Sequence, residues 1–384
     1  MNQYTIKAKY ATTIALDQHA RSVTLAGIDL VTGEERTGRL SNCPKPEDIV
    51  KWALDWAHEP FRFVYESGPC GFELARRLRE LGHTCDIITV SSIPRNTKSK
   101  VFKDDRGDAS ALLSAVIAPK SQCRVVYIPA VECEAARDMV RAYHDMVSIL
   151  KSLKMRFSAM LLRHGIVWNE RSEAGNLRST WSRAYIAWAR KLSLGDPLED
   201  ETLKLYLTEV LDGIEKCTRL KVRCSELANT ERFKPYVDAL TRLKGVDELT
   251  ALAYVSMMGD FARFRNGRSV SAYFGLIPGR HDSGEKRGNN SSMTKAGDTT
   301  VRRAVIEGLA GLPHFGGAHK WQRKGHEVSN DIEAEALKCN ARNYNRYHRL
   351  VKKGKKANVA KVAVASELVQ QMWVLGRMVD AELA

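Results

Sequence analysis

No stretch of the chain approaches the roughly 18 continuous apolar residues that a membrane-spanning helix needs, so a bilayer-embedded protein is not expected. The N-terminus, MNQYTIKAKYATTIALDQH, lacks an apolar run followed by a small-residue cleavage site and does not read as a secretory signal. Cysteine is present eight times, at 43, 70, 85, 123, 133, 217, 224 and 339, but without a CxxC or a Cys/His cluster at zinc spacing. That scatter excludes a disulfide framework or zinc finger and suits reduced thiols in a cytoplasmic protein. There is no fixed-period repeat and no low-complexity tract. Acid is in short supply: 45 Asp and Glu face 60 Lys and Arg, a net charge of +15. Such an excess favours a polyanionic partner. What remains is ordinary: 384 residues, 44% of them hydrophobic, enough for two or three packed domains.

The first 120 residues alternate strand and helix patterns. ATTIALD (11–17), SVTLAGID (22–29) and residues 34–40 read as three strands. PEDIVKWALDWAHE (46–59) follows as a helix, FRFVYES (61–67) as a strand, GFELARRLRELG (71–82) as a helix, TCDIITV (84–90) as a strand and DASALLSAVIA (108–118) as a helix. A three-strand meander continued by βα units predicts a mixed α/β sheet flanked by helices. Residues 133–165 and 199–230 are long helical stretches that fit an antiparallel hairpin, a coiled-coil oligomerisation arm or an ordinary bundle. The rest is mostly α, opening on LTRLKGVDELTALAYVSMMGDFARF (240–264) and closing on a basic helix near 331–353 and an apolar one near 357–379. The expected division is 1–125, 126–235 and 236–384.

Four acids stand out by position. Asp17 ends the first strand, Glu66 ends the fourth, and Asp105 and Asp108 lie at the start of a helix. If the first and fourth strands are parallel neighbours, Asp17 and Glu66 meet at their carboxyl ends, where sites form in such sheets. Converging carboxylates repel one another unless a hard cation such as Mg²⁺ or Mn²⁺ joins them. Arg95, Lys98, Lys100, Lys103 and Arg106 crowd the approach, as a phosphate backbone would require. Taken singly, each acid also fits a turn or a helix cap.

In the last third, LKGVDELTALAYVSMMGDF has the outline of a helix-hairpin-helix, whose turn offers backbone N–H groups to a phosphate. A tight turn between packed helices fits it equally. Ser283 follows, among Arg280, Lys286 and Arg287, and could attack a phosphodiester with charge neutralisation supplied nearby. Ser291 and Ser292 are rivals, and all three also read as loop serines. Lys338, Arg342, Arg346, Arg349 and Lys353 repeat at helical spacing with Tyr344 and Tyr347 between them, and no acid falls within 338–356. Such a stripe can track a nucleic-acid backbone.

These motifs together resemble the transposases of insertion sequences that join a RuvC-like domain to a serine-bearing transposase domain, a family that includes Piv-type invertases and bridge-RNA-guided recombinases. The resemblance covers roughly 10–130 and 236–376. Its four-acid signature falls on Asp17 in ALDQH, Glu66 in YESGPCGF, and Asp105 and Asp108 in KDDRGDA. Its Ser-Gly pair falls on Ser283 and Gly284, and its Lys-x-Gly-Asp with a following Arg on Lys295, Gly297, Asp298 and Arg302, next to Arg303. Two departures are visible: Asp247 stands where glycine is common, and NNSSM replaces Gly-Ile-Ser ahead of Lys295. The resemblance implies an RNase H-like first domain whose four acids hold Mg²⁺ or Mn²⁺, and a serine that links covalently to DNA. It also implies a homo-oligomer, dimer or tetramer, with composite sites, and a non-coding guide RNA that selects donor and target DNA. A junction nuclease without a covalent step, or a non-catalytic nucleic-acid-binding protein, are the alternatives.

Overall fold

The computed structural model describes residues 10–94, 105–119, 121–279, 292–314 and 328–384, the side chains of 105 and 106 aside. The chain divides into two compact units, Met1–Ile128 and Pro129–Ala384.

Unit 1 is a five-stranded mixed sheet of β1 (Thr12–Gln18), β2 (Val23–Asp29), β3 (Glu35–Leu40), β4 (Phe61–Glu66) and β5 (Thr84–Ile88), in the order β3-β2-β1-β4-β5. The meander β1–β2–β3 is antiparallel, while β4 and β5 add in parallel beyond β1. Strand side chains alternate between faces, and both faces are covered. Ile14, Leu16, Phe63 and Tyr65 pack beneath α1 (Pro46–Leu54) and α2 (Glu73–Glu80). Ala15, Ala26, Val64 and Ile88 pack beneath α3 (Asp105–Ile117) through Ala109, Leu112, Leu113 and Val116.

The first helix ends at Leu54 rather than near 59. The reason lies in the buried Asp29, which accepts the backbone N–H and ring Nδ1 of His58 at 3.1 and 2.6 Å and the N–H groups of Val31 and Thr32. A backbone donor held this way cannot continue a helix, and Pro60 follows. Burial alone would raise the Asp29 carboxyl, but its four hydrogen bonds prevail and bring it down to about 2.

Unit 2 is helical. Helix α4 (Val131–Arg163) packs against α6 (Pro197–Ala228), with α5 (Arg183–Ala189) between them in sequence. Cys133 and Ala136 share a core with Cys224 and Ala228, whereas Phe157 and Leu161 share one with Leu203 and Leu207. That inverse pairing makes the two long helices an antiparallel hairpin. The remaining helices are α7 (Lys234–Leu240), α8 (Glu248–Met258), α9 (Gly267–Tyr273), α10 (Thr299–Gly308), α11 (Asn330–Lys352) and α12 (Ala357–Leu383). Every residue of α8 from Thr250 to Met258 is buried, as expected of a helix that is apolar on nearly every side and sits in a bundle. The Tyr254 hydroxyl donates to the Val369 carbonyl at 2.6 Å, tying α8 to α12. Asn343 of α11 and Gln371 of α12 exchange two amide hydrogen bonds, at 2.7 and 3.0 Å, inside the core.

All eight cysteines are free thiols, and burial pushes Cys85 and Cys339 up to about 12. No helix among the described residues is long and apolar enough to cross a membrane.

Candidate functional site

In unit 1, parallel pairing of β1 with β4 runs in register to Leu16 opposite Tyr65. The next residues, Asp17 and Glu66, therefore stand side by side on strands roughly 4.8 Å apart. By strand alternation both sit on the face of Ala15 and Val64, the face that α3 covers. Asp108 is exposed on the first turn of α3, one residue before the buried Ala109. Asp105 opens that helix, and its side chain lies outside the described ones. Among the described residues no group of three or more His, Cys, Asp or Glu side chains is placed to hold a metal ion. The structure thus pairs two of the four acids, puts a third on the helix over the same face, and leaves the set unclosed. His19, which the sequence reading did not single out, sits 3.0 Å by Nε2 from Asp17 Oδ2. The signal was its position in ALDQH, just past the end of β1 and two residues from Asp17. Arg95, Lys98, Lys100 and Lys103 lie outside the described residues.

In unit 2, the Lys-x-Gly-Asp segment forms a clasp. Gly279 N–H donates to the Ser292 carbonyl at 3.0 Å, Thr294 N–H to Ile277 at 3.0 Å and Lys295 N–H to Gly275 at 3.2 Å. Gly275 and Gly297 both have positive φ, and a Cβ on either would meet a backbone oxygen, of Ala296 at 2.3 Å or of Tyr273 at 2.0 Å. Only glycine allows two backbones to cross this closely. Asp298 then caps α10 by accepting the Val301 N–H at 3.0 Å, and it faces Arg141 of α4 at 3.4 Å. Lys295 is exposed and has φ of 51°, the left-handed region that a side chain rarely adopts. The clasp joins Gly279 to Ser292; Arg280, Ser283, Lys286, Arg287 and the rival Ser291, which come between them in sequence, lie outside the described residues.

Three expectations for the cationic surface need correction. Arg302 is buried and donates to the carbonyls of Phe274 and Ala296 at 3.1 and 2.8 Å, so it holds the clasp together instead of facing a ligand. Arg342 and Arg346 are balanced after all, by Glu367 of α12: Arg342 pairs with it directly and Arg346 lies 3.1 Å away. Tyr347 belongs to the core, while Tyr344 packs against His348 with ring centroids 4.3 Å apart and the planes tilted by 52°. Lys338 and Arg303 are exposed but lie 3.6 and 3.5 Å from Glu335 and Glu307 on their own helices. Arg349 and Lys353 are exposed and carry no ion pair among the described residues.

The helix-hairpin-helix outline resolves as a packed turn. Asp247 caps α8 by accepting the Thr250 N–H at 2.8 Å, filling with its own carboxylate the place a phosphate would take. The Lys244 N–H donates to Asn340 of α11 at 2.8 Å. Gly245 presses on Gly308, whose missing Cβ would lie 1.9 Å from the Gly245 carbonyl oxygen. The far end of α8 has its carbonyls taken by Arg137, at 2.8 Å from Ser256 and 3.2 Å from Met257, and by Arg263, at 3.2 Å from Met257. Burial lowers the pKa of Arg137.

Residues 237–312 match the sequence profile of the "Transposase IS116/IS110/IS902 family". The chain is 31% identical over 317 residues to the "Putative transposase y4qE" of Sinorhizobium fredii, spanning 82% of this chain and 75% of that protein. It is 24% identical to the "Transposase for insertion sequence element IS1533" of Leptospira borgpetersenii, over 77% of this chain and 83% of that protein. A similar 24% identity to the "Transposase for insertion sequence element IS1111A" of Coxiella burnetii covers 62% of each.

Proposed function

The chain belongs to the IS116/IS110/IS902 family of transposases, and from that premise we propose that it cuts and rejoins DNA as the transposase of an insertion sequence. The supporting observation is the parallel register of β1 and β4, which sets Asp17 beside Glu66 on the face that α3 covers. In this reading unit 1 is an RNase H-like catalytic domain and unit 2 carries the nucleophile.

The acids are all hard oxygen donors, which suits Mg²⁺ or Mn²⁺. Asp17 and Glu66 would hold the ion, with Asp105 and Asp108 completing the set from the start of α3. When bound, the ion neutralises the carboxylates and polarises a phosphodiester. Ser283 Oγ attacks phosphorus, a P–O bond to one sugar breaks, the leaving sugar oxygen takes up a proton, and the cut end stays on the serine as an ester ready for rejoining. Acids of one subunit and the serine of another would form each site in a homo-oligomer. A non-coding RNA would choose the DNA sites by base pairing, leaving the protein to read backbone charge and shape.

The test uses the full chain with Mg²⁺, its element's DNA ends and any co-purifying RNA, which is sequenced. Wild type is expected to yield a covalent protein–DNA adduct that survives denaturant, and Ser283→Ala none. An adduct with Ser283→Ala moves the nucleophile to Ser291 or Ser292; cleavage by wild type without any adduct establishes the water-using nuclease instead. Asp17→Ala and Glu66→Ala should each lower strand cleavage by about 1,000-fold, and full activity in both would show the acids to be structural.

A further inference from the structure

Charge is unevenly spread along the α4/α6 hairpin. Residues 131–146 carry four acids and two arginines. Both arginines face inward partners, Arg137 the α8 carbonyls and Arg141 the Asp298 carboxylate. From 147 to 191, by contrast, nine Lys or Arg face two acids, so this segment holds seven of the chain's fifteen excess positive charges.

This basic segment is the distal cap of the hairpin, and it has an aromatic core. Rings of Phe157, Trp168, Trp181, Tyr185 and Trp188 pack in contact at centroid distances of 5.0 to 5.3 Å. The Trp168 indole donates to the Arg178 carbonyl at 2.9 Å, and Lys154 lies 5.4 Å from the centre of the Trp181 ring. These contacts fix α5 on the end of α4. Arg183 opens α5, and Arg190 and Lys191 follow directly after its end; all three are exposed. Arg156 and Arg163 are seven apart and exposed on α4.

Acids lie near this surface as well, with Glu173 exposed in the same segment and Glu201 exposed near the start of α6. Glu170 lies 3.9 Å from Arg178. At the start of α6, Asp196 accepts the N–H groups of Leu198 and Glu199, Asp200 accepts from Ser193 and Leu194, and Glu199 faces His164 at 3.7 Å. Arg156, Arg163, Arg183, Arg190 and Lys191 carry no ion pair among the described residues.

We infer that this cap binds the phosphate backbone of a nucleic-acid duplex. Exposed cations without partners, set on a rigid aromatic platform at the end of a long arm, meet the requirement for displacing counterions from phosphates, and no acceptor pattern for reading bases is needed. The inference rests on the proposed action on nucleic acid and adds a contact surface remote in sequence from both the acids and Ser283.

Fluorescence anisotropy of the full chain with a DNA duplex and, separately, an RNA duplex, across a salt series, tests it. Replacing Arg156, Arg163, Arg183, Arg190 and Lys191 together by Gln should make the log Kd against log salt slope shallower by about four units and weaken binding about 100-fold at 0.1 M salt. The melting temperature should not move, because none of the five holds the fold. A Lys set at the four arginines should keep the wild-type slope. A change in the DNA arm, the RNA arm or both supports the inference and names the duplex. An unchanged slope in the Gln variant, or a slope lost equally in the Lys set, overturns the cap surface alone. Wild type that binds neither duplex overturns the cap and the action on nucleic acid together, whereas the adduct assay reports on the latter independently.

Discussion

Two arginines on one helix should respond in opposite ways to the same substitution. Arg346 and Arg349 both belong to the basic stripe of α11, yet Arg346 lies 3.1 Å from Glu367 while Arg349 is exposed without an ion pair among the described residues. The Glu367 side chain is only 11% exposed. Arg346→Ala leaves that nearly buried carboxylate with Arg342 as its counter-charge, and Arg342 is 73% exposed and well hydrated. Losing one charge-assisted contact to a desolvated acid costs about 1–3 kcal/mol, short of the 3–5 kcal/mol for a fully orphaned buried charge. For a unit of this size, that lowers the melting temperature by about 2–12 °C. Arg349→Ala should leave the melt unchanged and reduce the salt slope of DNA binding by about one unit. Thermal melts and anisotropy on the same preparations read both quantities. Equal melts for the two variants, with equal losses of salt slope, would refute the assignment of Arg346 to the fold.

Two further outcomes concern the clasp and the Asp29 turn. Gly297→Ala places a Cβ 2.0 Å from the Tyr273 carbonyl at a φ of 70°, so it should cost more than about 2 kcal/mol and lower activity and melting temperature together; an unperturbed melt would show that the crossing relaxes. Asp29→Asn should destabilise the protein by about 1–3 kcal/mol through loss of charge-assisted hydrogen bonds, seen as a lower denaturant midpoint. Because the folded-state carboxyl lies at about 2, below its usual 3.8, the stability it supplies is complete above pH 4 and lost as pH falls through 2. The midpoint gap between Asp29→Asn and wild type should therefore narrow over that window, and a gap constant down to pH 2 would contradict the turn's role.

Much of the scaffold was legible because its signals are local. Near-continuous β-branched and apolar runs such as ATTIALD mark strands with two covered faces, and about thirty residues of helical pattern mark each arm of the hairpin. The sequence offered the parallel pairing of β1 with β4 only as a condition for Asp17 to meet Glu66, and the strand order β3-β2-β1-β4-β5 meets that condition. What escaped the reading depends on residues far apart in sequence. Glu367 lies on a helix that reads as apolar, and nothing in 338–356 announces that it will meet Arg342 and Arg346. Arg302 follows the Lys-x-Gly-Asp motif like a ligand-facing arginine, but its targets are carbonyls of 274 and 296 that converge only once the glycines cross. Asp247 is the opposite case: an Asp just before an apolar helical run is a local N-cap signal, and it serves as that cap here.

The amide pair between Asn343 and Gln371 has a reach beyond its two hydrogen bonds. Sliding α11 along α12 by one turn would break both bonds inside the core, so the pair works as a vernier that admits a single alignment of the last two helices. Glu367 stands four residues before Gln371 and therefore inherits its place between Arg342 and Arg346 from that alignment. Two uncharged residues in the interior thus decide which cations of the outer stripe are neutralised and which stay free to meet an anion.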